Sequence, residues 1–184
     1  VDGSYNTSAG KNKLDLSLFV RRLNLASVEP FAGGEVTQLS GWISGELSIL
    51  GEPLMPKLKG TINMHELGFR PKIIDSYLRL PGGELQFEDR RIKMNKVVMF
   101  DSLNNRAELG GYVDIADLTK PAFDLRLKTR DFLAMNTDKQ DNELYFGRLF
   151  LDSDVRIHGT MNRPTIDATA RLNKKSTLTY VKPE

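Results

Sequence analysis

The chain has 184 residues, of which 40% are hydrophobic and 27% are charged, a composition typical of a folded protein and not of a disordered one. Its 26 basic and 24 acidic residues nearly balance, so a nucleic-acid-binding surface, which needs an excess of Lys and Arg, is not expected. Because the sequence has no cysteine, disulfides, thiolate zinc sites and cysteine nucleophiles are excluded.

The first third of the chain contains the only segment whose pattern is not that of a strand. Residues 1–13 are polar and rich in small side chains, and we expect a flexible lead-in there. Leucine alternation over residues 14–20 predicts a strand. The alternation then stops, and Ser27 as a cap with Gly33 as a terminator predicts one short helix near residues 26–36.

From Leu39 onward, alternation of apolar and polar residues fills the chain. A similar unit recurs three times, beginning at Gly45, Gly111 and Ser153: an alternating run, a polar loop, then a proline with an apolar residue two places later. Each unit is typical of a hairpin, so the sequence predicts an all-β antiparallel meander. The predicted strands cover residues 38–50, 57–67, 72–80, 84–88, 91–100, 106–116, 122–130, 143–158, 164–172 and 177–181.

The alternation predicts a sheet with one apolar and one charged face, because successive side chains of a strand point to opposite sides. Glycines such as Gly45 and Gly60 fall on the apolar face, as points of strong bending would require. A sandwich or barrel would bury this face, whereas an open, curved sheet would leave it lining a groove. The predicted lining residues are Ile43, Leu47, Ile49, Leu58, Ile62, Met64, Leu78, Leu80, Leu85, Phe87, Ile92, Met94, Leu109, Val113, Ile115, Phe123, Leu125, Leu127, Val155, Ile157 and Ile166.

No constellation of residues indicates catalysis. His65 and His158 lie in different predicted strands, so they form no metal-binding cluster. Carboxylates such as Glu84 and Glu88 have the spacing of a polar strand face, and no glycine-rich loop leads into a helix. We therefore expect no enzymatic activity, no cofactor and no metal.

Several segments resemble the TamB family. These are LSGWISGELSILGEPLMPKLKGTI at residues 39–62, LPGGELQF from Leu80, NELYFG from Asn142, and the closing VRIHG and PTI segments from Val155 and Pro164. The resemblance extends from about Leu14 to Tyr180, and the related AsmA-like proteins share much of the pattern.

The resemblance implies a fold, a location and partners. TamB-like proteins are large Gram-negative envelope proteins, anchored in the inner membrane and extending through the periplasm, whose C-terminal region is a curved β-sheet with a hydrophobic groove, or β-taco. Residues 14–184 would then be a single β-groove domain, a fragment of such a protein. The parent protein would act with an outer-membrane Omp85-type barrel, TamA or a relative. The segment of the parent protein that contacts this barrel is expected beyond Glu184.

The resemblance favours the open groove and two functions for it. In the first, the groove binds acyl chains and conducts phospholipid between the inner and outer membranes. In the second, it is a chaperone that receives nascent strands of outer-membrane β-barrels or autotransporters. A closed structural β-domain without ligand is the third alternative. Nucleic acid is not expected as a partner.

Overall fold

The computed structural model describes residues 2–6, 13–53, 55–72, 75–140 and 143–182. These residues contain eleven strands and almost no helix, so the predicted all-β class is confirmed. The strands are β1 (Asp2–Asn6), β2 (Lys13–Asn24), β3 (Val36–Glu52), β4 (Met55–Pro71), β5 (Leu78–Asp89), β6 (Arg91–Phe100), β7 (Arg106–Asp114), β8 (Ala122–Thr137), β9 (Tyr145–Thr160), β10 (Arg163–Leu172) and β11 (Thr177–Tyr180).

The strands form one antiparallel sheet in which spatial order follows chain order from β1 to β10. β11 pairs with the first residues of β9, next to the stretch of β9 that pairs with β10. Between them, Ser176 Oγ accepts a hydrogen bond from the Phe150 amide at 3.0 Å and donates to the Phe150 carbonyl at 3.2 Å. β10 and β11 are therefore two parts of one edge, and the described sheet is open, with β1 at its other edge.

Two expectations for the N-terminal segment need correction. The predicted flexible lead-in contains β1, which pairs with Lys13–Ser17 of β2, while residues 1 and 7–12 lie outside the described residues. The predicted helix consists of two 3₁₀ turns, Leu25–Ser27 and Glu29–Ala32. Asn24, and not Ser27, caps the first turn, by accepting a hydrogen bond from the Ala26 amide at 3.0 Å.

The predicted turn at residues 81–83 is wrong, because β5 runs through it as one strand. Pro81 lies opposite Glu66, at a point where pairing with β4 skips one residue and pairing with β6 is interrupted. A proline lacks an amide hydrogen, so it is tolerated in a strand where no ladder hydrogen bond is required. β4 ends at Pro71 and β5 begins at Leu78, so residues 72–77 of the predicted strand 72–80 do not belong to a strand where the structure describes them.

Bulges divide the sheet into two halves. Register shifts occur between Val20 and Leu23, between Met94 and Val97, and in β3 and β8. Within strands, positive φ angles of non-glycine residues mark the irregular points, at Gln38, Glu66, Lys96 and Asp131. We call the half of the sheet that contains these bulges the bulged half and the other the regular half. Because a bulge bends its strand and increases the local twist, we expect the bulged half to be the more strongly curved.

The bulged half carries the main hydrophobic cluster of the described chain, which we call the packed cluster. It draws on five successive strands, β4 to β8, and includes Ala107, which is completely buried. The described residues hold no helix longer than the two 3₁₀ turns, of which the first packs Leu25 against the cluster, so most of the shielding must come from curvature of the sheet toward its apolar face. The members are Met64, Leu67, Leu78, Leu80, Val97, Met99, Ala107 and Phe132.

The molecule as a whole has an unusually large accessible surface. Its accessible surface is 12324 Å² for a mass of 20.7 kDa. A compact monomer of that mass exposes about 8,900 Å², so this chain exposes roughly 3,400 Å² more. An open, curved sheet accounts for the difference, whereas a closed sandwich would not.

Glycines allow adjacent strands to approach where side chains would not fit. Gly45 and Gly60 occupy neighbouring positions of β3 and β4 with φ angles of 146° and 147°. A Cβ atom at Gly45 would lie 2.0 Å from the Thr61 carbonyl oxygen, and one at Gly60 would lie 2.1 Å from the Glu46 carbonyl oxygen. Both glycines are therefore required by backbone contact, as the sequence indicated.

We expect Gly60→Ala to destabilise the protein by about 1–3 kcal/mol, because alanine must adopt a strained φ and displace the β3 backbone. Gly82→Ala is the matched control, since its Cβ would meet nothing closer than the Met64 carbonyl oxygen at 3.6 Å. Urea unfolding followed by circular dichroism measures both. Equal stability of the two variants would show that the close approach at Gly60 is not required.

Candidate functional site

The predicted lining residues all lie on one face of the sheet. Directly paired residues of antiparallel strands project to the same side, so the register assigns the faces of the regular half, and packing in one cluster assigns those of the bulged half. The pairing connects these side chains from strand to strand, and Ile115 follows two residues after Val113, where its amide donates to the Arg90 carbonyl at 2.7 Å.

Two unbroken rows cross the regular half of this face, each with one residue from every strand between β2 and β10. Row 1 consists of Leu18, Leu47, Gly60, Phe87, Ile92, Val113, Phe123, Gly159 and Pro164. Row 2 consists of Val20, Gly45, Ile62, Leu85, Met94, Gly111, Leu125, Ile157 and Ile166.

Most side chains of rows 1 and 2 are only half-buried. Ile62 is the buried exception, at 7% exposure, and Ile166 is 62% exposed because β10 is exposed on both faces. Ile49 and Leu58 extend the apolar face beyond row 1 on β3 and β4. The regular half is thus an apolar surface in contact with solvent.

Several predicted residues belong instead to the bulged half. Met64, Leu78 and Leu80 are buried members of the packed cluster, while Ile43, Leu109 and Leu127 pack against it. Val155 is paired with Leu127 beside them. The sequence analysis did not separate these residues from rows 1 and 2, because alternation is the same in both halves.

The sequence analysis missed residues at both ends of the face. Leu67, Val97, Met99, Ala107 and Phe132 were not predicted, although they form much of the packed cluster. Bulges shift the phase of alternation just before several of them, so a strict period of two does not identify them. Leu18 and Val20 were also omitted from the lining residues, although their alternation was visible.

The opposite face is covered by charge pairs. Arg126 donates two hydrogen bonds to Asp154, at 2.7 and 2.6 Å, and Arg156 donates two to Asp124, at 2.9 and 2.8 Å. Hydrogen bonds from the arginines hold the pKa of Asp124 and the pKa of Asp154 below their ordinary value of 3.8. Lys128 lies 3.8 Å from Asp154 and extends the network.

The histidines also lie on this outer face, apart from one another. His65 stacks on Trp42 with ring centroids 3.6 Å apart, and its Nε2 lies 3.0 Å from Ser44 Oγ. Arg22 covers the same indole at 4.9 Å. His158 pairs with Asp167 at 3.1 Å, across β9 and β10.

The carboxylates considered for catalysis bind neighbouring groups of the same face. Glu84 accepts a hydrogen bond from Gln86 at 2.6 Å, and Glu88 forms an ion pair with Lys93. Such contacts are those of a polar strand surface, and they complete the division into an apolar and a charged face.

The charge pairs predict a specific dependence of stability on acid. A lowered pKa in the folded state contributes stability that is present above the unfolded pKa and is lost as pH falls through the folded value. We expect the variant Asp124→Asn/Asp154→Asn to lose less stability than the parent as pH falls below about 4. Glu46→Gln, at an exposed position without an ion pair in the described chain, should keep the parental acid profile in urea titrations. Parallel profiles for all three proteins would contradict the prediction.

Comparison with known proteins adds a family to this geometry. A family model of the TamB C-terminal domain matches residues 96–184, a span that includes β7 to β11. Searches of curated proteins and of solved structures found no match. No helix in the described part of the chain is long and apolar enough to cross a membrane. The match over residues 96–184 confirms, for that part of the chain, the resemblance to the TamB family that its motifs indicated.

Proposed function

We propose that the chain is a periplasmic segment of an inner-membrane-anchored TamB-like protein, and that its apolar face binds acyl chains and conducts phospholipid between the two membranes. The family supports a TamB-like role in envelope assembly and lipid transport in general, in bacteria and with TamA-like partners. Binding of phospholipid by this segment is part of the proposal.

The observation that carries the proposal is the continuity of rows 1 and 2. Each row crosses nine strands without a charged side chain, and most of its side chains are half-exposed. Neighbouring strands are about 4.8 Å apart, so each row extends over about 38 Å, more than the roughly 30 Å of a bilayer hydrocarbon core. An acyl chain needs only a continuous apolar track of this kind, while its polar headgroup stays in water.

The two faces have the chemistry that such a conduit requires. The outer face bears charge pairs such as Arg126–Asp154 and Arg156–Asp124, which keep it hydrated. Exposed ion pairs add little stability, so their main contribution here is to make one face unsuitable for lipid. No catalytic residue is needed, and we propose that the chain is not an enzyme.

A second candidate function is favoured by β10. All ten residues of this edge strand are exposed, including Ile166 and Leu172. An exposed edge can accept another strand through main-chain hydrogen bonds, so a nascent outer-membrane protein could add to it. In this alternative the chain is a chaperone, and its client is a protein.

The first experiment compares adjacent residues of β8. Leu125 belongs to row 2, paired with Gly111 and Ile157, whereas Asp124 lies on the outer face bound to Arg156. We expect Leu125→Arg to fold but to reduce co-purified phospholipid at least roughly tenfold, because an arginine facing hydrocarbon costs about 2–4 kcal/mol. Asp124→Asn should retain lipid. Circular dichroism tests folding, and native mass spectrometry from mild detergent counts lipid.

Two outcomes would contradict the conduit. If Leu125→Arg unfolds outright, the interior is a packed core; if it folds and carries as much lipid as the parent, the apolar face does not hold the lipid. Val113→Arg and Leu47→Arg in row 1 should reproduce the Leu125→Arg result, because a continuous track is blocked at any point.

The second candidate has its own measurement. A photo-cross-linking amino acid in place of Ile166 should capture phospholipid in cells if the chain is a conduit, since row 2 ends there. Capture of outer-membrane proteins, without lipid, would support the chaperone instead. The same probe in place of Lys128, on the outer face, is the control for non-specific capture.

A further inference from the structure

We propose that acyl chains occupy only rows 1 and 2, and that the packed cluster is a permanent core that excludes them. This inference rests on the proposed function and assigns the lipid to one half of the apolar face. The sequence alone treats both halves as one lining surface.

The boundary follows from strand regularity. Every register shift among β2 to β10 falls on the far side of row 2, where Val20 is followed by Leu23 and Met94 by Val97. Rows 1 and 2 keep direct pairing across all nine strands. The bulges therefore curl one half of the strands and leave the other half as an even surface.

Most residues of rows 1 and 2 are less buried than the members of the packed cluster, although Ile62 of row 2 is buried as well. Leu80 is 6% exposed, Val97 is 3% exposed and Ala107 is not exposed at all. On the other side, Val113 and Leu125 are only half-buried by their neighbours. Side chains of the cluster already have protein contacts on most sides, whereas those of the rows have an open side that an acyl chain can cover.

Side chains of the cluster also occupy the space above Gly83, which has no side chain of its own. A Cβ atom at Gly83 would lie 2.8 Å from Met64 Cε and 3.6 Å from both methyl groups of Val97. The neighbouring side chains thus fill the space above this glycine. An acyl chain entering here would have to displace packed side chains, which costs more than covering the half-exposed rows.

Row 2 forms the wall between the two regions. Leu85 and Met94 belong to row 2 and also pack against the cluster. An acyl chain that lies on row 2 therefore has the packed cluster along one side and row 1 along the other. The lipid track is a strip two side chains wide that crosses the strands.

Intermolecular NOEs test this division without any substitution. The protein is deuterated except for Ile, Leu, Val and Met methyl groups, and it is loaded with phosphatidylethanolamine bearing protonated acyl chains, in deuterated detergent. We expect NOEs from the acyl chains to the methyls of Val113, Leu125 and Ile157. The methyls of Leu80 and Val97 should show none. Val98, which pairs with Glu108 on the outer face, is the negative control next to Val97.

Each outcome decides between distinct statements. NOEs to rows 1 and 2 alone support the inference. NOEs of similar strength to Leu80 and Val97 would overturn it and leave the conduit intact, because lipid would then enter both halves. If no methyl of the apolar face shows an NOE to a lipid that native mass spectrometry finds bound, both the inference and the proposed function fail.

Discussion

A β-sheet with one apolar face must shield that face from water, and in the described residues little besides the 3₁₀ turn that packs Leu25 against the cluster lies over it. Most of the shielding must therefore come from curvature, because a sheet that bends toward its apolar side brings neighbouring side chains over one another. The bulged half is well shielded, as the complete burial of Ala107 shows. The regular half is shielded only in part, which leaves the molecule with far more surface than a compact protein of its mass.

Glycines and bulges make this curvature possible in different ways. Gly45 and Gly60 let the β3 and β4 backbones approach where any Cβ would collide with a carbonyl oxygen. Polar residues such as Glu66 and Lys96 adopt positive φ angles at irregular points of their strands. The glycines bring strands of the regular half closer together and leave its register intact. The irregular points bend the strands of the bulged half, whose apolar side chains pack into a core.

The proposed function belongs to the regular half, whose apolar side chains are only partly buried by folding. Rows 1 and 2 combine unbroken register with incomplete burial, and both properties are needed for a track along which a chain could move. A fully packed interior would admit no ligand, and a face interrupted by bulges would not be continuous. The packed cluster supports the strip from one side and contributes the stability that an open sheet otherwise lacks.

Much of this was readable from the sequence. Alternation with a period of two determined the all-β class, the strand-rich meander and the face on which Leu125 and Asp124 lie, because side-chain direction in a strand is a local property. The motifs from Asn142, Val155 and Pro164 indicated a resemblance to the TamB family, which the match over residues 96–184 confirmed. The turn predicted at Pro81 was wrong. Pro81 is tolerated within β5 because no ladder hydrogen bond to β4 is required at that position.

Only the tertiary structure decided which apolar residues are core and which are open. Leu80 and Val113 both lie in alternating runs and were both predicted to line the groove, yet Leu80 is buried and Val113 only half-buried. The difference depends on where register shifts fall and how strongly each part of the sheet bends, and both depend on pairing between strands distant in sequence. Local alternation therefore determined the face of each side chain, and the curvature of the assembled sheet determined how much water that face still meets.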